Sequence, residues 1–189
     1  MSAMQFTFDE KKTTQAAGVL LRLSGDRGIA KYHFIKMLYL ADREALDRWG
    51  EPITGDNAVL MKYGPVLSTI YDLTKGQGRM VRSYWEEFIT DADEETNQIF
   101  LKEDPGVREL SKSEIRILEK VYLKFKNYTW KELRDYCHSA LPEYRDVGGT
   151  SKPLPAERIL KALGKSQREI EEAHRRFVEL QVADLLLGR

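Results

Sequence analysis

The stretch of sequence that decides the fold reads FIKMLYLAD at residues 34–42. Lys36 is its only charged residue before the final aspartate. A helix that is apolar on nearly every side lies inside a domain, because any other position would expose its apolar surface to water. The pattern therefore predicts a buried central helix that runs from about residue 31 to residue 49 and stops at Gly50.

The segment after this helix combines turn residues with short apolar runs. Residues 52–56, PITGD, favour a loop, and AVLM at residues 58–61 favours a short strand, although leucine and methionine suit a helix equally well. Gly64 followed by Pro65 suits an N-cap and a first helical position, since proline lacks only a donor that would be unpaired there. We therefore expect a third helix from Pro65 to about residue 75.

Capping signals place the other helices. Asp9 is suited to cap a first helix that ends near Gly25, and Pro155 to begin a short helix that ends near Leu163. Three further helices are predicted from capping-box spacings, at Ser111 with Glu114, Thr129 with Glu132, and Ser166 with Glu169.

Length and composition bound the architecture. With 189 residues, of which 42% are hydrophobic, the chain can bury one substantial core, and its length favours one domain over two. We expect a predominantly helical α+β fold with a small antiparallel hairpin or sheet. In this interpretation a single domain covers residues 1–189, with a central part at 29–75, a hairpin at 84–104 and C-terminal helices at 111–189.

The charge balance restricts the kinds of partner. Thirty basic residues stand against thirty acidic ones, so the formal net charge is zero, which argues against bulk attraction to nucleic acid or to a membrane surface. The single cysteine, Cys137, excludes an internal disulfide, and no apolar run has the length of a signal peptide or a membrane-spanning helix. We expect a soluble, cytoplasmic protein without a membrane partner.

Residues suited to catalysis or metal binding are dispersed. His33, His138 and His174 lie far apart, and Cys137 has no base at a spacing that would activate it. No dinucleotide fingerprint, nucleophile elbow or zinc-protease motif occurs. We therefore expect no catalytic site, no metal and no cofactor. An enzyme whose site is assembled from distant residues is the alternative that remains open.

A basic segment keeps a second alternative open. Residues 111–134 contain seven basic residues against three acidic ones, in the outline of a helix-turn-helix pair. The proline and two glycines that follow leave little room for a long recognition helix, so two packed helices with solvated lysines are the simpler interpretation. A DNA-binding regulator would use the lysines Lys120, Lys124, Lys126 and Lys131.

Two blocks of sequence, in order, carry a family resemblance. The first is the helix segment from Lys36 to Asp42, and the second is Tyr63-Gly64-Pro65-Val66, with Gly55-Asp56 between them and Tyr71 beyond. This arrangement resembles the Panacea, or SocA-like, antitoxin family. The resemblance implies an antitoxin of a bacterial or phage toxin–antitoxin pair that binds a cognate protein toxin without a cofactor. One branch of the family is similar to proteolytic adaptors, so a protease is a further partner to consider, and homo-oligomers stay open.

The same blocks supply the candidate binding residues. Lys36 and Asp42 are charges within an otherwise apolar helix, and tyrosine hydroxyls need partners when they are buried. Two interpretations stay open: an internal ion pair or hydrogen-bond network that fixes the fold, or a set of groups beside a groove that receives the toxin. The candidate residues are Lys36, Tyr39, Asp42, Tyr63, Gly64, Pro65, Val66 and Tyr71.

The predicted hairpin is strongly acidic. Residues 84–89 and 98–101 are rich in aromatic and branched residues, and between residues 84 and 104 eight acidic residues stand against Lys102 alone. Such a surface could steer a basic toxin by long-range attraction, or it could be a solvated turn that keeps an edge strand from aggregating. The candidate steering residues are Asp91, Asp93, Glu94 and Glu95.

Overall fold

The computed structural model describes residues 4–76 and 83–187 of the chain. The described α-helices and strands, in chain order, are α1 (Glu10–Ser24), β1 (Ile29–Ala30), α2 (Lys31–Trp49), β2 (Ala58–Met61), β3 (Gly64–Leu67), α3 (Ser68–Leu73), α4 (Tyr84–Phe88), β4 (Gln98–Ile99), α5 (Lys112–Phe125), α6 (Trp130–Ser139), β5 (Lys152–Pro153), α7 (Ala156–Ala162) and α8 (Gln167–Leu187). A short 3-10 helix (Gly25–Arg27) follows α1.

The strands form two small antiparallel sheets among these helices. One sheet has the order β3-β2-β5, and the other pairs β1 with β4. The predominantly helical α+β prediction is therefore confirmed. The strand predicted at residues 58–61 is β2, with the predicted bounds.

Helix α2 lies at the centre of the packing, as its sequence predicts. Every side chain from Phe34 to Asp42 is buried, and the helix packs against α1, α5, α6, α7 and β3. Its predicted bounds are confirmed. Gly50 ends it in the left-handed conformation, with φ of 80°, and donates its N–H to the carbonyl of Leu46 at 3.0 Å.

The predicted caps are present where local signals are strong. The Asp9 carboxylate accepts from the N–H of Lys12 at the start of α1. Reciprocal capping boxes open α5, at Ser111 and Glu114, and α6, at Thr129 and Glu132. These side chains satisfy backbone donors that the first helical turn leaves without partners, so the helix starts could be read from the sequence.

The third helix was predicted to begin at Pro65, and this prediction is wrong. Residues 64–67 form β3, which pairs with β2 so that Gly64 stands opposite Met61. The helix α3 begins only at Ser68, because the carboxylate of Asp56 caps it by accepting from the N–H groups of Thr69 and Ile70. Pro65 is tolerated in β3 because β3 is an edge strand of its sheet.

The first arm of the predicted hairpin is also wrong, since residues 84–88 form the helix α4. Trp85, Phe88 and Ile89 follow helical spacing, and the buried ring of Trp85 meets Phe34 with ring centroids 6.0 Å apart. An antiparallel bridge between Ile89 and Leu101 is what remains of a hairpin. Residues 98–99 instead pair with β1.

Gly64 generates a prediction about stability. Its φ is 101°, and a Cβ added there would lie 2.9 Å from the Cβ of Cys137 and 3.0 Å from Nζ of Lys36. The change Gly64→Val should lower the free energy of unfolding by about 2 kcal/mol or more, because strain and overpacking add. Urea unfolding measures this difference.

Gly149 provides the matched control, since a Cβ added there meets nothing within 4 Å and its backbone is ordinary. Gly149→Val should change the free energy of unfolding by no more than about 0.5 kcal/mol. Equal stability of the two valine variants would contradict the special role of the Gly64 backbone.

Candidate functional site

Lys36 lies in the interior, where its ammonium group contacts β3. Its Nζ donates to the carbonyl of Pro65 at 2.5 Å and lies 5.3 Å from the ring centroid of Tyr32. The side chain is 1% exposed, and this loss of solvation lowers the pKa of Lys36 to about 7. The lysine therefore ties the central helix to the edge strand.

Asp42 is buried two turns further along α2 and holds the loop that follows the helix. Its carboxylate accepts from the N–H of Ile53 at 2.9 Å and from both the N–H and the hydroxyl of Thr54. Burial raises the pKa of Asp42 to about 7, against the opposite effect of these hydrogen bonds. Lys36 and Asp42 thus bind separate backbone segments and do not form an ion pair with each other.

Tyr39 belongs to a buried cluster that the sequence did not reveal. Its hydroxyl donates to Oε1 of Glu143 at 2.8 Å, and Arg43 donates to both oxygens of that carboxylate, at 2.6 and 3.1 Å. Arg158 adds a bond to the carbonyl of Glu143 at 2.8 Å. Burial raises the pKa of Tyr39 well above its ordinary value, so the residue is a neutral hydrogen-bond donor.

Tyr63 lies on the surface, in the turn between β2 and β3. Its ring packs edge-on against Trp130 with centroids 5.4 Å apart, and the two side chains are 43% and 41% exposed. The ring of Tyr32 lies 5.6 Å from that of Trp130. The Tyr32 hydroxyl donates to the carbonyl of Tyr63 at 2.8 Å. The guanidinium of Arg134 covers Trp130 at 5.1 Å. We call these four residues the aromatic surface.

A stacked pair of rings connects the C-terminal end of α6 to the β2–β3 turn. The rings of His138 and Tyr144 lie 4.3 Å apart and nearly parallel. The Tyr144 hydroxyl donates to the carbonyl of Lys62, the neighbour of Tyr63, at 2.9 Å. Aromatic side chains from α2, the β2–β3 turn, α6 and the loop after it are therefore connected here.

The remaining motif residues lie elsewhere. Gly64, Pro65 and Val66 are buried in β3, close to Lys36. Tyr71 lies half-buried in α3, where the ammonium of Lys75 stands 3.8 Å from its ring centroid. The structure therefore brings together only Lys36 with residues 64–65, and it places Tyr39, Asp42, Tyr63 and Tyr71 in four different environments.

The acidic candidates lie in and around a turn. Oδ1 of Asp93 accepts from the N–H groups of Glu95 and Thr96 and from the Thr96 hydroxyl, and the bonds from Thr96 lower the pKa of Asp93. The carboxylate of Asp91 packs against Gly76. Glu94 and Glu95 are exposed. Asp93 therefore has a structural role in the turn.

Two lysines of the basic segment at residues 111–134 contact other side chains of the protein. Nζ of Lys120 forms an ion pair with Glu44 at 2.9 Å, and Nζ of Lys124 donates to the hydroxyl of Tyr136 at 3.1 Å. Lys126 and Lys131 are exposed. Two of the four lysines proposed for DNA contacts thus have partners within the protein.

Within residues 4–76 and 83–187 no group of three or more His, Cys, Asp and Glu side chains is arranged to hold a metal ion. Cys137 is fully buried, and burial raises the pKa of its thiol to about 11, which disfavours the nucleophilic thiolate. None of the helices over the same residues has the length and apolar character needed to cross a membrane.

The buried ammonium of Lys36 predicts a pH-dependent stability. Its pKa is about 7 in the folded protein and 10.5 for an ordinary lysine, so between these values the unfolded chain binds more protons and the free energy of unfolding rises with pH. The change Lys36→Met removes this titration. It should raise stability at pH 6, where the charge is buried at full cost, and the gain should shrink or reverse by pH 10.

Urea unfolding at pH 6, 8 and 10 measures this dependence. At every pH the methionine variant lacks the hydrogen bond to Pro65, a loss of about 1–3 kcal/mol for a buried acceptor, and at pH 10 the wild-type lysine is neutral, so no gain offsets this loss. Lys131→Met, at an exposed position, is the control and should give a difference from the wild type that does not vary with pH. A pH-independent difference for Lys36→Met would show that Lys36 keeps its ordinary pKa.

Comparison with known proteins identifies the family. The sequence model of the family described as "Antitoxin SocA-like, Panacea domain" matches residues 34–142, which is more than half of the chain. No curated protein and no solved structure matches the sequence or the structure of this chain. The matched range includes α2 from residue 34 onward, the β2–β3 turn and α6, so it contains Tyr63, Trp130 and Arg134 of the aromatic surface, whereas Tyr32 lies two residues before it. The chain therefore belongs to the SocA-like, Panacea-domain family of antitoxins.

Proposed function

We propose that this protein neutralises a cognate protein toxin by direct, stoichiometric binding through the aromatic surface. The observation that supports the proposal is the exposed pair of Tyr63 and Trp130 with Arg134 across the tryptophan ring. Tryptophan, tyrosine and arginine are the residues most enriched among those that dominate binding energy at protein interfaces. Large aromatic rings left about two-fifths exposed are suited to burial by a partner.

The aromatic surface is held in place before any partner binds. Trp130 is the first residue of α6, immediately after the N-cap residue Thr129, and Tyr63 is fixed through its carbonyl by the Tyr32 hydroxyl. Side chains that are already ordered lose little conformational freedom on association, so more of the interaction energy becomes affinity.

Binding without chemistry fits the groups described in the interior. The Cys137 thiol is protonated and enclosed, and the Tyr39 hydroxyl is committed to Glu143. A DNA-binding regulator is less well supported, because Lys120 and Lys124 already have partners. A mobility-shift assay at several salt concentrations separates the two functions, since phosphate contacts give a steep salt dependence.

The central prediction is that co-expression with the toxin encoded in the neighbouring gene restores growth and that the two proteins co-purify. Trp130→Ala and Tyr63→Ala should each keep the fold and weaken toxin binding by about tenfold or more, as expected for residues that dominate an interface. Isothermal titration calorimetry measures the affinity, and circular dichroism checks the fold.

Val178→Ala on α8 is the control, because Val178 has the same 43% exposure as Tyr63 and lies outside the aromatic surface. Its variant should bind as the wild type does. Growth rescue without a complex would overturn direct neutralisation, whereas a complex that survives both aromatic substitutions would place the binding surface elsewhere.

Electrostatic steering by the acidic turn gives a separate prediction. Because Asp93 organises the turn, the test uses Glu94→Gln together with Glu95→Gln. This variant should stay folded and associate severalfold more slowly with a basic toxin at low salt, with little change in dissociation rate. The difference should shrink as the Debye length falls to about 8 Å at physiological salt.

Stopped-flow association across salt concentrations measures this effect. Glu171→Gln with Glu179→Gln makes the same change of charge on α8 and serves as the control. An equal effect of the two pairs would show that the total charge acts and not the turn. An unchanged association rate for the first pair would leave the turn as scaffold only.

A further inference from the structure

A cavity of about 330 Å³ lies beside α2. Its lining includes none of the four residues of the aromatic surface. Its walls come from α2, β2, residues 153–156 at the start of α7, and the N-terminal segment at residues 4–6. The volume corresponds to about ten water molecules at their share of liquid volume.

The cavity is lined mainly by apolar side chains. Leu46, Ala58, Val59, Leu67 and Ile159 contribute to its walls, together with three prolines. Volumes of 300–1,000 Å³ with apolar walls and a few polar groups are typical of sites that bind small molecules. Water in such a space is readily displaced by an apolar ligand, because the walls offer it few hydrogen bonds.

The charged groups in the wall are already compensated. Arg43 is bound to both oxygens of Glu143, and the carboxylates of Asp42 and Asp56 accept from backbone N–H groups. The lining therefore offers no unpaired cation to an anionic ligand, and the carboxylate charge in its wall would repel one. Hydrogen-bonding groups at the opening are the exposed amides of Gln5 and Asn57.

The N-terminal wall is anchored at both ends. The N–H of Met4 donates to Oε1 of Glu157 at 2.6 Å, and the N–H of Asp9 donates to the carbonyl of Thr54 at 3.1 Å. Between them the ring of Phe6 packs edge-on against Phe177 with centroids 5.0 Å apart. The protein's own contacts thus hold this wall in place, which reduces the ordering cost of binding a ligand.

We propose that this cavity binds a neutral, mainly apolar small molecule, at a site distinct from the toxin-binding function proposed above. Shape and volume supply the affinity, and the absence of an uncompensated cation excludes carboxylates, sulfonates and phosphates of similar size. The proposal needs no toxin, so it stands or fails independently of neutralisation.

A matched pair of fluorescent probes tests the proposal. N-phenyl-1-naphthylamine is neutral, and 8-anilinonaphthalene-1-sulfonate is the same ring system with one sulfonate. The neutral probe should bind the purified protein saturably with one site per chain, and the sulfonate should bind about tenfold or more weakly. No saturable binding of the neutral probe, or equal binding of the anion, would overturn the proposal.

Variants locate the probe. Ala58→Leu fills part of the cavity from β2, and it should weaken binding of the neutral probe by about tenfold or more, whereas Ala140→Leu at an exposed position should not. Ile159→Phe fills the cavity from α7 and replaces the first variant if that one fails to fold. Trp130→Ala should leave binding unchanged. Binding lost with Trp130→Ala but kept with the cavity-filling variants would assign the probe to the aromatic surface and refute the cavity site.

Discussion

The rest of the structure depends on one constraint, which is that residues 34–42 of α2 are buried and their two charged groups must find partners within the protein. Lys36 and Asp42 are six residues apart, so they point to different sides of the helix and do not reach each other. The lysine binds the carbonyl of Pro65 and the aspartate binds the loop at residues 53–54. Both ends of the segment that contains β2 are therefore fixed to the same helix. Burying a charge without a partner costs free energy, so these bonds restrict the conformations that the chain can adopt as well as stabilising the fold.

Elements with local signals could be predicted from the sequence. The apolar run of α2 and the capping boxes of α5 and α6 are complete within a few residues, and the structure confirms them. The two errors have different origins. Asp56 caps α3 from across the β2–β3 hairpin, so a distant residue sets the start of that helix. The helix α4 opens with a local capping box, Ser83 with Glu86, and its sequence was assigned to a strand because of its aromatic residues.

The candidate site shows the same division between local and distant information. Tyr39 was singled out from the sequence, but its partner Glu143 lies 104 residues away in a loop that carries no motif. The spacing of Tyr39 and Arg43, one helical turn apart, was the only available hint that the two act together. Trp130 was predicted to belong to a helix, and its contact with Tyr63 follows from the position of α6 against β3, which no local pattern encodes.

The Tyr63-Gly64-Pro65-Val66 motif joins the interior to the surface. At Gly64 the chain passes so close to Cys137 and Lys36 that a side chain would collide with them, and this approach needs the positive φ that glycine adopts readily. Pro65 then offers its carbonyl to the buried ammonium. One residue before the glycine, Tyr63 remains outside, against Trp130. The bonds that fix the edge strand to α2 therefore also set the position of the exposed ring.

One loop contacts residues beside the cavity and residues beside the aromatic surface, and the chemistry of that loop keeps the two sites independent. Glu143 is buried against Tyr39 and Arg43 at the cavity wall, while its neighbour Tyr144 stacks on His138 near the β2–β3 turn. A ligand that drew Arg43 away would leave the Glu143 carboxylate buried without its cation, which costs several kcal/mol, on the order of 3–5 for a broken buried pair. A neutral ligand does not compete with Glu143 for the guanidinium of Arg43. It can occupy the cavity while Glu143 stays in place, and the geometry of Tyr144 and the turn beside it is then the same in the filled and the empty state.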